Sequence, residues 1–287
     1  MKALEITCVS ACPNRCVYCP QDILSKAYTA NKVMKFGDFK DCIDKLAPKV
    51  DIHFSGFGEN FLHPDIGKMI NYCFNKGHKV WVFTTLRGAT IEKLKEIEGL
   101  KFDSFLIHLM NEKEQKVVLD ENYYKVLTYF LEHDFGNKVF RGTGNTPIKT
   151  IELIKSYTFT ISPLKLISRG GLLKNYFKKT NRREVWCLRE QQPVILPNGD
   201  IYSCNNDYGL KNLYGNLLNE KVSSIEHSRA EFIESIHKGK VQSCSDCEFA
   251  YPYFLGYKQF FWVRKGISLF LVKLKQISYF ICGFKQK

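Results

Sequence analysis

Short runs of β-branched and apolar residues alternate with stretches of helical period through the first ~170 residues, and this texture predicts βα units that build a parallel sheet. Strands are expected at Ala3 to Val9, Val50 to Ser55, Lys79 to Thr84, Phe102 to Leu109, Asn137 to Arg141 and Thr158 to Ser168. Helical spacing puts Phe36, Phe39, Ile43 and Leu46 on one face, and Ile66, Ile70 and Phe74 on another. Six strands with about five intervening helices predict an incomplete α/β barrel, because a closed eight-stranded barrel takes ~250 residues.

After Asn181 the pattern breaks into turn residues and scattered cysteines. Pro197-Asn198-Gly199-Asp200, between Val194-Ile195-Leu196 and Ile201-Tyr202, predicts a hairpin. The expected organisation is a partial barrel over 1–180, a small module over 181–250 and a tail over 251–287. A module of ~65 residues with little apolar periodicity needs a staple, and four cysteines supply one.

Apolar residues make up 45% and charged residues 25% of the 287, which excludes disordered, collagenous and coiled-coil chains. The net charge of +13 is concentrated in the tail, which from Tyr251 onward holds seven basic residues, eleven aromatics and no acid. There Val263, Ile267, Phe270, Leu271, Leu274 and Ile277 follow helical spacing. Such a stretch suits peripheral contact with an anionic membrane surface, packing on the body, or a second chain. Glu5 interrupts what a signal peptide would keep apolar, and no run of ~18 apolar residues occurs, so a cytoplasmic chain is expected. In a reducing compartment, clustered cysteines point to metal or redox chemistry.

Three constellations carry that chemistry. Cys12, Cys16 and Cys19 form a C-x3-C-x2-C loop directly after the first strand. Cubane clusters normally take four thiolates, so three in one loop suggest three ligated irons and one open position. A zinc loop or buried thiols are the alternative, although zinc usually takes a fourth ligand nearby and His53 is far along the chain. Gly56-Phe57-Gly58-Glu59 ends the second strand, where glycines permit close approach and a carboxylate can accept from an ammonium. Cys187, Gly199 and Cys204 follow C-x11-G-x4-C, and Cys244 and Cys247 form C-x2-C, a set that suits zinc as well as a cubane.

The cysteine loop resembles that of the radical S-adenosylmethionine (SAM) superfamily, with Tyr18 at the aromatic position. The resemblance implies a partial (β/α)6 barrel and a [4Fe-4S] cluster on Cys12, Cys16 and Cys19 whose open iron chelates SAM. Reductive cleavage would then give a 5′-deoxyadenosyl radical. Gly56, Gly58 and Glu59 resemble the Gly-Gly-Glu motif that contacts the SAM amino group, with Asn60 where proline is usual. Thr84, His108 and Arg141, at successive strand ends, are further SAM-contact candidates, and Arg141 reads equally as a solvated charge. The later cysteines resemble a shortened SPASM domain of twitch type, implying one auxiliary [4Fe-4S] cluster on Cys187, Cys204, Cys244 and Cys247. Cys42 and Cys73 read as core residues, and Cys8 as a core thiol or a hydrogen-atom donor.

Within the superfamily the arrangement is similar to aminocyclitol dehydrogenation enzymes, in which an arginine before the first auxiliary cysteine contacts the reacting hydroxyl. Arg169, ahead of Gly170-Gly171, stands at that place and is the catalytic candidate; otherwise it is a surface residue. The expected function is oxidation or epimerisation of an alcohol carbon in a sugar, cyclitol or other polyol, free or carrier-linked, with a flavodoxin- or ferredoxin-type electron donor. A ribosomal-peptide maturase is the alternative, and such enzymes commonly carry an N-terminal peptide-binding domain. From another class, a zinc-stapled nucleic-acid-binding module would explain cysteines and charge, yet no nucleic-acid motif accompanies them.

Overall fold

The computed structural model describes residues 1–173 and 184–252. The tail helix expected after Phe260, and Cys282, lie outside the described residues. In chain order the elements are β1 (Ala3–Ile6), α1 (Gln21–Ala27), α2 (Phe36–Asp44), β2 (Asp51–Phe54), α3 (Ile66–Asn75), β3 (Val80–Thr84), α4 (Ile91–Lys95) and β4 (Ser104–His108). There follow α5 (Glu112–Gln115), α6 (Glu121–Glu132), β5 (Lys138–Gly142), α7 (Ile148–Ser156) and β6 (Ile161–Pro163). The C-terminal part holds β7 (Val185–Cys187), β8 (Val194–Ile195), β9 (Asp200–Tyr202), β10 (Leu213–Asn216), α8 (Val222–His237), α9 (Gln242–Ser245) and β11 (Ala250–Pro252).

Strands β1 to β6 pair in sequence order and all in parallel. Because side chains alternate across a strand, each strand shows one face to the helices and one to the interior. The helix-side face is apolar: Leu4, Ile6, Ile52, Phe54, Val80, Val82, Phe105, Ile107 and Phe140 form one core with Phe39, Ile43, Met69, Ile70 and Phe130. The interior face carries Glu5, His53, Trp81, Ser104, His108 and Arg141. A closed barrel fills its interior with branched aliphatic side chains. Polar and aromatic residues there mark the interior as a site.

The sixth strand is shorter than the expected Thr158 to Ser168. It is an edge strand whose last residue, Pro163, has no N–H to donate to a further ladder.

The hairpin of β8 and β9 forms around Gly199 (φ +86°), but it does not stand apart. β8 pairs in parallel with β1, and β9 pairs antiparallel with β10, extending the sheet to nine strands. Glu5 N–H donates to Pro193 O (2.9 Å) and Thr7 N–H to Ile195 O (3.0 Å). The free edge of β1 is thereby satisfied by the chain itself. A second small sheet pairs β7 with β11 and sets Cys187 opposite Ala250. Among the described residues, no helix is long and apolar enough to cross a membrane.

The ends of β1 and β2 are pinned by Asn60, which is fully buried. Its Oδ1 accepts from Cys8 N (3.0 Å) and Cys8 Sγ (3.0 Å), and its Nδ2 donates to Ile6 O (3.1 Å) and Ser55 O (3.2 Å). Proline could make none of these bonds, which is the physical reason for asparagine here. Replacing Asn60 with leucine should strand several buried backbone groups and cost on the order of 3 kcal/mol, read by urea denaturation. A change below ~1 kcal/mol would show that water takes over these bonds.

Candidate active site

The loop carrying Cys12, Cys16 and Cys19 leaves β1 and is held from the far side by α5. Arg15 N–H donates to Gln115 O (3.1 Å) and Val17 N–H to Glu114 O (2.9 Å). Gln115 Nε2 donates to the Tyr18 hydroxyl (2.8 Å), so Tyr18 also anchors the loop to α5. Asn14 Nδ2 donates to Thr85 Oγ1 (3.1 Å), tying the loop to the end of β3 as well. Burial, with the neighbouring thiols of the loop next, pushes the Cys16 thiol up to about 12. Burial does the same at Cys12, also to about 12, with Glu59 and Cys19 adding to it. Such thiols remain protonated and inert until a metal takes the proton's place.

Glu59 is almost completely buried, and its carboxylate takes four donors from the chain. Oε1 accepts from Thr84 Oγ1 (2.6 Å) and Phe61 N (3.3 Å), Oε2 from Thr85 N and Thr85 Oγ1 (both 2.8 Å). Burial raises its pKa, and the two threonines oppose that rise. The carboxylate therefore joins the ends of β2 and β3, and an ammonium would have to share these oxygens. Gly56 (φ +95°) and Gly58 are required by the chain's own packing. A Cβ at Gly56 would stand 2.1 Å from Thr7 Oγ1, and one at Gly58 1.8 Å from Val9 O. His63 is a capping residue: Asp65 N–H donates to its Nδ1 (3.0 Å), leaving Nε2–H to donate to Met34 O (2.7 Å).

Three sequence candidates meet at the mouth of the interior. His108 and Arg141 are register partners on β4 and β5. Burial, then Arg141 and Arg169, pulls the His108 pKa down to about 4, so its imidazole is neutral at physiological pH. Arg169, Gly170 and Gly171 all adopt left-handed backbone, with φ of +54°, +67° and +87°. The Arg169 guanidinium lies over the Tyr208 ring (5.9 Å) and donates from Nη1 to Asn206 Oδ1 (3.4 Å). Its Nε is buried and has no hydrogen-bond partner among the described residues. Tyr208 reaches on to the cysteine loop, its hydroxyl 3.4 Å from Cys19 Sγ.

Cys187, Cys204, Cys244 and Cys247 are brought together by β7, the loop after β9, and α9 with the turn that follows it. Burial raises all four thiols, Cys187 to about 12 and Cys204 to about 11, and they act on one another. Arg189 stands beside them. Its N–H donates to Cys187 Sγ (3.3 Å) and its guanidinium pairs with the buried carboxylate of Glu5, which also accepts from Ser55 Oγ (2.9 Å) and Asn205 Nδ2 (2.7 Å). Among the described residues no three His, Cys, Asp or Glu side chains stand at the spacing of a single metal ion. The donor chemistry fits iron–sulfur ligation: three sulfurs from one loop, four from the module, each set desolvated.

A parallel six-stranded partial barrel with a three-cysteine loop after its first strand and a cysteine-bearing C-terminal part is the arrangement of radical SAM enzymes, and the fold of this chain is similar to theirs. No family model matches it. It is 20% identical over 256 residues to the S-adenosyl-L-methionine-dependent 2-deoxy-scyllo-inosamine dehydrogenase of Niallia circulans, covering 85% of this chain and 91% of that protein. The fold is similar to BtrN solved in complex with AdoMet and 2-DOIA, with a TM-score of 0.63, 18% identity, and 88% and 95% of the two chains covered. It is also similar to Streptococcus suis SuiB bound to precursor peptide SuiA, with a TM-score of 0.58, 13% identity, and 86% and 70% covered. The zinc-stapled nucleic-acid reading gives way to this class.

Sequence reasoning passed over Asn14, Gln115, Glu5, Arg189, Asn206 and Tyr208 as site residues. Only the pair Asn205-Asn206 directly after Cys204 offers a local hint, since small amides beside a metal-ligand cysteine often serve the sulfur. A measurable consequence follows from His108. Its folded pKa lies below the unfolded value, so the unfolded chain binds more protons between about pH 4 and 6.5. Stability is lost as pH falls through that window. His108→Gln should flatten the slope of stability against pH by up to ~1.4 kcal/mol per pH unit, followed by urea denaturation at a series of pH values. An unchanged slope would place His108 in water.

Proposed function

We propose that the chain oxidises an alcohol carbon of a sugar, cyclitol or similar polyol, using SAM and two iron–sulfur clusters. When bound, a [4Fe-4S] cluster on Cys12, Cys16 and Cys19 with SAM would supply a 5′-deoxyadenosyl radical, and a cluster on Cys187, Cys204, Cys244 and Cys247 would accept one electron. The observation that supports this best is the position of Arg169, held between a partner of Cys19 and a partner of Cys247. A group fixed there lies between both sulfur sets and beside a neutral imidazole.

The chain's own residues divide the remaining work. The Arg169 guanidinium orients the reacting hydroxyl and favours negative charge on its oxygen, but it offers only N–H donors and no acceptor for the proton. A ring nitrogen of neutral His108 can accept a hydrogen bond from the hydroxyl and so orient it. Trp81 and Phe83 on the interior face of β3 offer flat apolar surface to a ring. The first electron would come from a flavodoxin- or ferredoxin-type protein. The likeness to SuiB supports a peptide substrate as the second reading.

Anaerobic reconstitution should load about eight irons and eight sulfides per chain, as two cubanes. Joint replacement of Cys12, Cys16 and Cys19 by alanine should halve the iron and abolish SAM cleavage. Four irons with one zinc would instead assign the module to zinc. Arg169→Lys should still cleave SAM while the ratio of oxidised product to 5′-deoxyadenosine collapses, because misplacement by ~1 Å can cost ~100-fold. If lysine and alanine both leave that ratio unchanged, Arg169 has no part in holding substrate. Oxidation of a peptide and not of a polyol would favour the second reading.

A further inference from the structure

One short loop after β9 touches both cysteine sets. Tyr208 is 2% exposed, with its ring edge-on to Phe57 (5.0 Å) and its hydroxyl 3.4 Å from Cys19 Sγ. Two residues earlier, buried Asn206 donates from Nδ2 to Cys247 Sγ (3.8 Å) and accepts Arg169 Nη1 at Oδ1. The loop is braced from within. Asp207 N–H donates to Cys204 O (3.1 Å), and the Asp207 carboxylate accepts from Lys211 N (3.1 Å), Asn212 N (2.8 Å) and Asn212 Nδ2 (3.0 Å). The two side chains are therefore fixed relative to each other.

A thiolate bound to iron has no proton, so in the loaded protein the Tyr208 hydroxyl must be the donor to Cys19. The Asn206 amide is a donor in either state. Hydrogen bonds to cluster sulfurs stabilise the reduced, more negative cluster and so raise its reduction potential. We propose that Tyr208 and Asn206 are positioning residues that set the potentials of the two clusters separately, Tyr208 that of the SAM-binding cluster and Asn206 that of the auxiliary cluster, while clamping Arg169 between them. This rests on the two-cluster reading above.

The test is an EPR-monitored redox titration of the full, anaerobically reconstituted chain and of Tyr208→Phe, Asn206→Leu and Asn206→Asp. The two signals are separable, because SAM perturbs only the first and the Cys12/Cys16/Cys19 alanine variant retains only the second. Tyr208→Phe should move the midpoint of the SAM-responsive cluster to more negative potential and leave the other in place. Asn206→Leu should do the reverse. Asn206→Asp, which keeps an oxygen for Arg169 but replaces the N–H donor, guards against a leucine variant that does not fold and should also lower the second midpoint. Eight irons with unmoved midpoints, or both midpoints moving together, would overturn the proposal. Four irons in the unaltered chain would overturn the two-cluster reading and with it the Asn206 half, leaving the Tyr208 half to stand or fall on its own midpoint.

Discussion

Everything at the site depends on β1 being paired along both edges, to β2 on one side and to β8 on the other. Only four residues long, β1 would be a weak edge if either neighbour were absent. With both present, the loop leaving β1 is fixed in direction, and the hairpin that covers its edge brings the loop after β9 alongside. Tyr208 can then meet Cys19 across 189 positions of sequence. Contacts of such separation carry the full cost of closing the intervening chain. They persist because Leu24, Tyr28, Phe57, Val194, Leu196, Tyr202 and Tyr208 are buried together in one apolar cluster beneath them.

The charges inside this structure follow one rule: a buried ion is kept only where the chain supplies partners for it. Glu59 has four donors, and Glu5 has Arg189, Ser55 and Asn205. His108, set between two arginines, sheds its proton instead. Two arginines keep one open donor each: the buried Nε of Arg169 and that of Arg189 have no hydrogen-bond partner among the described residues. One unsatisfied buried donor costs about 1–3 kcal/mol, which is small beside the pairing the rest of each guanidinium makes.

Much of the barrel was legible because its signals are local. The strands at residues 3–6, 51–54, 80–84 and 104–108 fall within the apolar runs that announced them, the strand at 138–142 runs one residue past its own, and Pro-Asn-Gly-Asp announced its turn. Register between β8 and β1 left no such trace, because Val194-Ile195 reads like any short apolar run. The glycines of Gly56-Phe57-Gly58 were visible, but their reason was not: the atoms that exclude a Cβ belong to Thr7 and Val9 on another strand end. Asn60 looked like a departure from a motif. It proves to be the residue that holds two strand ends together, through partners between five and 54 positions away.

Arg169 shows how the C-terminal part governs the barrel's chemistry. A left-handed backbone at a residue with a Cβ costs about 1–2 kcal/mol, and this turn places Arg169 there ahead of two glycines that bear the conformation freely. Something outside the turn must hold it. Ser168 N–H donates to Glu248 Oε1 and the Arg169 side chain donates to Asn206, so both holds come from residues that neighbour the auxiliary cysteines. The guanidinium is therefore placed correctly only when the cysteine-bearing part has folded around its own sulfurs. Strain stored at a residue and relieved by no local change is a usual mark of a functional position. Here it makes the position of the Arg169 guanidinium at the barrel mouth conditional on the cysteine-bearing part of the chain.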